Sequence, residues 1–299
     1  MILITGATGK SGSATARALN NLGQSYRALI RNPEKEEELK ALGAEVVIGS
    51  IEDNQSLVKA MSDVEKVLIL LPNSENQLAL ETQIVDVALQ SGTKHIVKVS
   101  SIEATPDATS PIPKLHLEAE NYIKASGLEW TMVKPNFYMQ NLLGSATTIK
   151  EQDKIFLPMG EGKTGMIDTR DVGKVIAKVL SEEGHSSMNY EITGPEILSF
   201  YDVAETFSNV LNKTVNYIDL PMPAYKDILS SLTNRHYTAS QYALFTSIMF
   251  LPGIVISGFS GQIVSSMGWS SFFFFAAAMG IPSILCSILI VRRGWNEQQ

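Results

Sequence analysis

Short apolar runs alternate along the chain with longer stretches whose apolar residues recur at helical spacing. Met1–Ile4, Tyr26–Ile30, Glu45–Ile48, Val67–Leu71, His95–Val99 and Thr131–Val133 predict strands, several of them continuous apolar runs of the kind buried on both faces. Ser13–Leu22, Pro33–Leu42, Asn54–Ser62, Glu75–Gln90 and Pro113–Ala125 lie between them and have helical length and pattern. Alternation of this kind demands an α/β fold, a parallel sheet joined by right-handed crossovers. Residues 136–232 are then expected to build most of a small substrate lobe. In it a helix starts with Asp168 or Thr169 as its cap, and Asn189–Thr193, Tyr201–Leu211 and Val215–Asp219 follow as strand, helix and strand.

The pattern changes after residue 236. The 55 residues from Tyr237 to Val291 contain no Lys, Arg, Asp or Glu. Within them, 242–258 and 269–291 are apolar stretches, the second long enough for a membrane helix and the first borderline against the ~20 residues required. Arg235 and Arg292-Arg293 flank the pair, which places both ends in the cytoplasm by the positive-inside rule. The expectation is a domain over 1–235 and a transmembrane helical hairpin over 237–293, tethering a cytoplasmic domain to the inner membrane. The alternative is a buried hydrophobic hairpin in a cytoplasmic protein, and a charge-free helical pair has no solvated face to offer water.

Net charge is −7 with a pI near 5.2, which argues against a nucleic-acid surface, since that needs clustered Lys and Arg to replace counterions. Small molecules are the expected partners. The single cysteine, Cys286, cannot form an internal disulfide, and the apolar start Met1–Ile4 is too short for a signal peptide. His116, Glu118 and Glu120 invite a metal, but the other histidines, His95, His185 and His236, have no ligand spacing, so no metal is expected. Ser100-Ser101 has no His/Asp pattern that would make it a nucleophile.

Candidate chemistry concentrates in Gly6-Ala7-Thr8-Gly9-Lys10-Ser11-Gly12, between the first strand and the first helix. Glycines at this spacing provide a tight turn, close backbone approach to a pyrophosphate, and close helix–strand packing, while the helix N-terminus offers unpaired N–H groups. That context makes the sheet Rossmann-type and predicts a dinucleotide held by Gly6, Thr8, Gly9, Lys10 and Gly12. The turn after the second strand reads Arg31-Asn32-Pro33, with no carboxylate for a ribose 2′-hydroxyl. Arg31 can instead grip a 2′-phosphate, with Lys10 as a second charge, so NADP(H) is expected over NAD(H). Leu71 and Pro72 after the fourth strand and Ser100 after the fifth are expected to line the crevice at the carboxyl end of the sheet.

The runs Ile4–Gly9, Arg27–Pro33 and Gly43–Gly49 resemble the NmrA-like group of the short-chain dehydrogenase/reductase superfamily. His116–Glu120, Ser126–Leu128 and Pro135–Asn141 are similar to its quinone-reductase and triphenylmethane-reductase members, and the resemblance runs from Met1 to about Leu232. It implies hydride transfer from NADPH to a quinone or similar conjugated acceptor. The superfamily's Tyr with Lys four positions later is missing, because no Tyr here has Lys at that spacing. The resemblance places His116 and Tyr138 near the nicotinamide side as candidate catalytic groups, His116 otherwise being a solvent-facing helix-start residue. It makes Tyr138 also a pocket wall and Asn141 a pocket hydrogen-bonder. The alternative function is a non-catalytic NADP(H) redox sensor that reports to a protein partner.

Tyr237–Phe245, Leu251-Pro252-Gly253 and Gly258–Gly261 resemble the last two helices of the muropeptide-permease branch of the major facilitator superfamily. Two helices cannot form a pathway that lies between six-helix halves, so the resemblance implies a fusion to a transporter remnant, not transport. A non-productive fusion is the third reading of the chain.

Overall fold

A computed structural model describes residues 1–221 together with 223–224. Within them β1 (Ile2–Thr5), α1 (Lys10–Asn21), β2 (Tyr26–Ile30), α2 (Glu36–Ala41), β3 (Ala44–Ile48), α3 (Asn54–Met61), β4 (Lys66–Ile69), α4 (Gln77–Gln90), β5 (His95–Val99), α5 (Pro111–Ala125) and β6 (Glu129–Pro135) follow the predicted alternation. The remaining elements are α6 (Ala146–Gln152), β7 (Lys154–Leu157), β8 (Lys163–Gly165), α7 (Thr169–Ser181), β9 (Met188–Ile192), β10 (Ile197–Ser199), α8 (Phe200–Leu211) and β11 (Asn216–Asp219).

Seven strands form one parallel sheet in the order β3-β2-β1-β4-β5-β6-β9, a Rossmann-type arrangement whose order reverses between β1 and β4. The two-residue strand period sends successive side chains to opposite faces. Ile2, Ile4, Ala28, Ile30, Val97 and Val133 join Leu19, Leu39, Val172 and Ile176, which places α1, α2 and α7 on one face. Leu3, Leu29, Ile96 and Met132 join Leu57, Ile84, Val85 and Ile123, which places α3, α4 and α5 on the other. Both faces are covered, and this is why the strand sequences are mostly apolar, with exceptions such as Arg27 in β2 and Lys98 in β5.

Helix α7 crosses α1 at Gly173, where an added Cβ would stand 2.6 Å from the Ala14 carbonyl carbon. Its first turn is capped by Asp168, which accepts from the Arg170 N–H at 2.7 Å, as the sequence leads one to expect. Residues 136–232 were expected to belong largely to a small lobe, and here the structure differs. Helix α7 and strand β9 complete the large sheet, β9 pairing with β6 from Thr131↔Met188 to Pro135↔Ile192. The described part of the smaller lobe consists of α6, α8 and two strand pairs, β7 with β11 and β8 with β10. Its centre is aromatic: Phe200 meets Phe137 edge-on at 5.8 Å, and Tyr217 lies 5.7 Å from Phe200 and 4.9 Å from Tyr201.

The expected hairpin, with spans 242–258 and 269–291, lies outside the described residues, as does the permease-like stretch. Among the described residues no helix is long and apolar enough to cross a membrane.

Candidate functional site

The glycine loop connects β1 to α1 at the point where the strand order reverses. Gly6 adopts φ +70°, and a Cβ there would meet the Leu70 carbonyl oxygen at 2.2 Å. A Cβ on Gly12 would meet the Gly6 carbonyl oxygen at 2.0 Å. Chain packing alone therefore requires both glycines. Gly9 is different, because its φ of −76° and ψ of 172° suit any residue and a Cβ would lie 3.4 Å from its nearest neighbour, ordinary van der Waals contact. Nothing in the packing among the described residues explains a glycine at that position.

Gly9 is also the N-cap of α1 and provides no side-chain cap. The first turn contains no acidic residue, and Thr8, Gly9 and Lys10 are exposed. Uncapped N–H groups at the start of a twelve-residue helix, beside a position without a side chain, can hold an anionic group against the backbone. Arg31 follows β2, is exposed, and has no ion pair or hydrogen bond among the described residues. Arg27, four residues earlier, is buried with its guanidinium on Glu45 and on the Ala60 and Ser62 carbonyls, so it braces the sheet edge and does not face a ligand.

Lys10, expected beside Arg31 as a second charge, reaches the other way. Its Nζ donates to the Gln140 carbonyl at 3.1 Å, and the Gln140 side chain bonds Asp168 and the Thr169 N–H. Segment 138–141 is thus strapped across the glycine loop to the start of α7. Tyr138 lies in this strap, and burial pushes its pKa up to about 12. Its neighbour Asn141 donates its backbone N–H to the Tyr138 carbonyl at 2.9 Å.

The carboxyl ends of β4 and β5 form the other wall. Leu71 is half-buried and Pro72 exposed, just past β4. Ser100 is buried and its hydroxyl donates to Glu120 at 2.5 Å, so this side chain is turned into the protein, away from the crevice it was expected to line. Ser101 donates to Glu103 at 2.9 Å in the loop that follows.

His116 is buried, which corrects the picture of a solvent-facing helix-start residue. Its Nε2 lies 3.2 Å from Asn73 Oδ1 and its Nδ1 3.4 Å from Gln77 Nε2. The Gln77 amide N–H also donates to Glu81, so Nδ1 is the acceptor and Nε2–H the donor to Asn73. Burial, reinforced by the positive charges of Lys98 and Lys134, holds the imidazole pKa well below its ordinary value. A neutral, doubly engaged ring is a poor proton donor.

Behind His116 lies an ionic network that sequence reasoning missed. Lys98, fully buried in the middle of β5, pairs with Glu81 at 2.5 Å. Glu120 of α5 pairs with Lys134 at 2.9 Å and Lys124 at 3.1 Å. The available signal was a lysine inside a strand that reads as buried on both faces, because such a charge requires a buried partner. Among the described residues no group of three or more His, Cys, Asp or Glu is placed to hold a metal ion.

Comparison with known proteins places the chain among NAD(P)H-dependent reductases of similar fold. The chain is 33% identical over 232 residues to the NAD(P)H azoreductase of Xenophilus azovorans, covering 78% of this chain and 81% of that one. The NADPH complex of the NADPH-dependent quinone oxidoreductase of Escherichia coli superposes with a TM-score of 0.73 at 28% identity, over 84% of this chain and 90% of that one. The triphenylmethane reductase of a Citrobacter species, solved with NADP(H), gives the same TM-score and coverage at 24% identity, which speaks for the fold. The family model that matches is the NmrA-like family, over residues 1–248, beyond Leu232 and into the first apolar stretch. With most of its length matched and a relative this similar, the chain belongs to the NmrA-like family.

Proposed function

We propose that the protein is an NADPH-dependent reductase of quinones, azo compounds or similar flat, conjugated acceptors. The observation that carries the cofactor is Gly9, the one glycine of the loop that packing among the described residues does not require, at the uncapped start of α1. Gly6 and Gly12 shape the turn, the α1 N–H groups receive the pyrophosphate, and Arg31, without an ion pair among the described residues, receives the 2′-phosphate. Leu71 and Pro72 pack against the cofactor. Ser100 contributes backbone and shape here, since its hydroxyl is held by Glu120.

NADPH, when bound, supplies a hydride. The chain's own residues hold and orient: Tyr138 and Asn141 form the acceptor-side wall, and the Lys10–Gln140–Asp168 strap fixes that wall against the glycine loop. Positioning of this kind supplies much of the rate in a hydride transfer. The azoreductase and quinone oxidoreductase relatives support the reductase reading. The sensor reading is supported by 25% identity over 230 residues to the photosystem II assembly factor Ycf39 of Guillardia theta, whose name describes no reaction, and by the missing Tyr/Lys pair.

One experiment separates the two. NADPH and NADH binding to the full-length chain is measured by fluorescence, followed by NADPH oxidation with a simple quinone and an azo dye. Turnover with preference for NADPH is expected; binding without turnover across both acceptors favours the sensor. Residues 242–258 and 269–291 are read as an anchor that holds this domain at the cytoplasmic face of a membrane. Recovery of the native chain in the supernatant after gentle cell fractionation would overturn that part.

A further inference from the structure

Reducing a neutral quinone or azo bond takes more than a hydride. One atom of the acceptor gains the hydride and its partner must gain a proton, so acceptor, NADPH and H⁺ become reduced acceptor and NADP⁺. Neither group expected to help is suited to supply that proton. His116 is neutral with both nitrogens engaged, and burial pushes the Tyr138 pKa up to about 12, which leaves its hydroxyl a weak acid.

We propose that Glu103 is the proton donor, passing its carboxyl proton to the acceptor's oxygen or nitrogen as hydride arrives on the acceptor and regaining one from solvent. This rests on the reductase reading above. Glu103 lies on the loop leaving the carboxyl end of β5, on the side of the strand-order reversal away from β2 and β3. The nicotinamide half of a dinucleotide lies over that side of such a sheet. Ser101 fixes the side chain, donating its hydroxyl at 2.9 Å and accepting the Glu103 N–H at 3.3 Å.

What separates Glu103 from the neighbouring carboxylates is the lack of a counter-charge. Glu81 is held by Lys98 and Glu120 by Lys134 and Lys124, whereas Glu103 is half-buried and has no ion pair among the described residues. Lys134 of β6 comes near, but its Nζ donates to the Ala104 carbonyl at 3.3 Å and pairs with Glu120 of α5. Lys98 of β5 is committed to Glu81, and Asp107 on the same loop is exposed. Burial without a cation raises the Glu103 pKa, so it stays protonated to higher pH than an exposed glutamate.

The test compares acceptors that differ only in their need for a proton. A neutral quinone needs hydride and proton; a cationic triphenylmethane dye needs hydride alone, which neutralises its central carbon. With the full-length chain and NADPH, kcat is measured for both acceptors in the native protein, in Glu103→Gln and in Glu103→Asp. General acids contribute about 10²–10⁴-fold, so the quinone-to-dye ratio of kcat should fall at least ten-fold in Glu103→Gln and recover in part in Glu103→Asp. The native quinone rate should also fall as pH rises through the Glu103 titration, a step absent from Glu103→Gln. NADPH binding reports whether each variant is folded, and if Glu103→Gln is not, the ratio and pH step of Glu103→Asp decide. Turnover of both acceptors with an unchanged ratio overturns the assignment of Glu103 alone, and a native chain that turns over neither acceptor overturns the reductase reading and this one with it.

Discussion

Replacing Gly9 by serine should move stability and cofactor affinity in opposite directions. The backbone at Gly9 is already extended, the nearest atom to a new Cβ is 3.4 Å away, and the helix that starts there has no side-chain cap. Serine provides that cap, worth a few tenths of a kcal/mol over glycine, and it removes unfolded-state freedom worth about 0.4–1 kcal/mol. The cofactor-free chain should therefore gain about 1 kcal/mol, or roughly 2–4 °C in Tm for a domain of this size. The same side chain occupies the space a pyrophosphate needs, so NADPH should bind at least ten-fold more weakly, about 1.4 kcal/mol. Urea and thermal unfolding without cofactor give the first quantity, and fluorescence titration gives the second. Gly12→Ala is the control, since its Cβ would press on the Gly6 backbone at 2.0 Å and should cost about 1–3 kcal/mol. A Gly9→Ser chain that is destabilised like Gly12→Ala, or that binds NADPH unchanged, would refute the assignment of Gly9 to the ligand.

Arg31→Ala should weaken NADPH at least ten-fold and leave NADH within two-fold, because only NADPH carries the 2′-phosphate; equal losses in the two titrations would remove Arg31 from the site. Glu81→Gln leaves the Lys98 ammonium buried without its partner and should destabilise by about 3–5 kcal/mol in urea unfolding. Lys98→Met together with Glu81→Gln should regain at least half of that loss, and a single variant costing under about 1 kcal/mol would mean that the pair is not buried as described. His116 has a folded-state pKa depressed below the unfolded value of 6.5, so the unfolded chain binds the extra proton first. Its contribution to stability is complete above pH 6.5 and is lost as pH falls from there toward the depressed value, with a slope of up to ~1.4 kcal/mol per pH unit. His95 is depressed in the same direction by burial and adds to the slope, so the measurement is the native slope minus that of His116→Asn. Identical slopes would show that the ring is not held neutral.

Much of the sheet was legible because the faces of its strands are chemically alike. Where both faces are buried, Ile2–Thr5 and Tyr26–Ile30 are apolar at every position but Thr5 and Arg27, and the reading of β1 and β2 needed no tertiary information. The second half was harder. Residues 146–152, 154–157, 163–165 and 197–199 form short elements that carry too few turns or alternations to stand out. The stretch around Asn189 read as a strand of the small lobe, yet β9 pairs with β6, more than fifty positions earlier, and nothing local announces a partner so distant.

Local chemistry and tertiary placement divide the site in the same way. The glycine spacing, its position between a strand and a helix, and an arginine where a carboxylate would otherwise stand are all short-range features, so sequence alone determined the fold class and the cofactor expectation. Which side chains face the crevice was decided by packing across elements. Ser100 turns inward because Glu120 on α5 accepts a hydrogen bond from its hydroxyl, Lys10 turns to Gln140 and away from Arg31, and His116 is buried because α5 packs against α4 beside Asn73 and Gln77. The Lys98–Glu81 pair and the carboxyl of Glu103, without a counter-ion among the described residues, arise for the same reason. A charge in a sequence carries its sign with it, but whether it meets water, a counter-ion or neither depends on which distant segment the fold brings alongside, and burial makes that difference worth several kcal/mol.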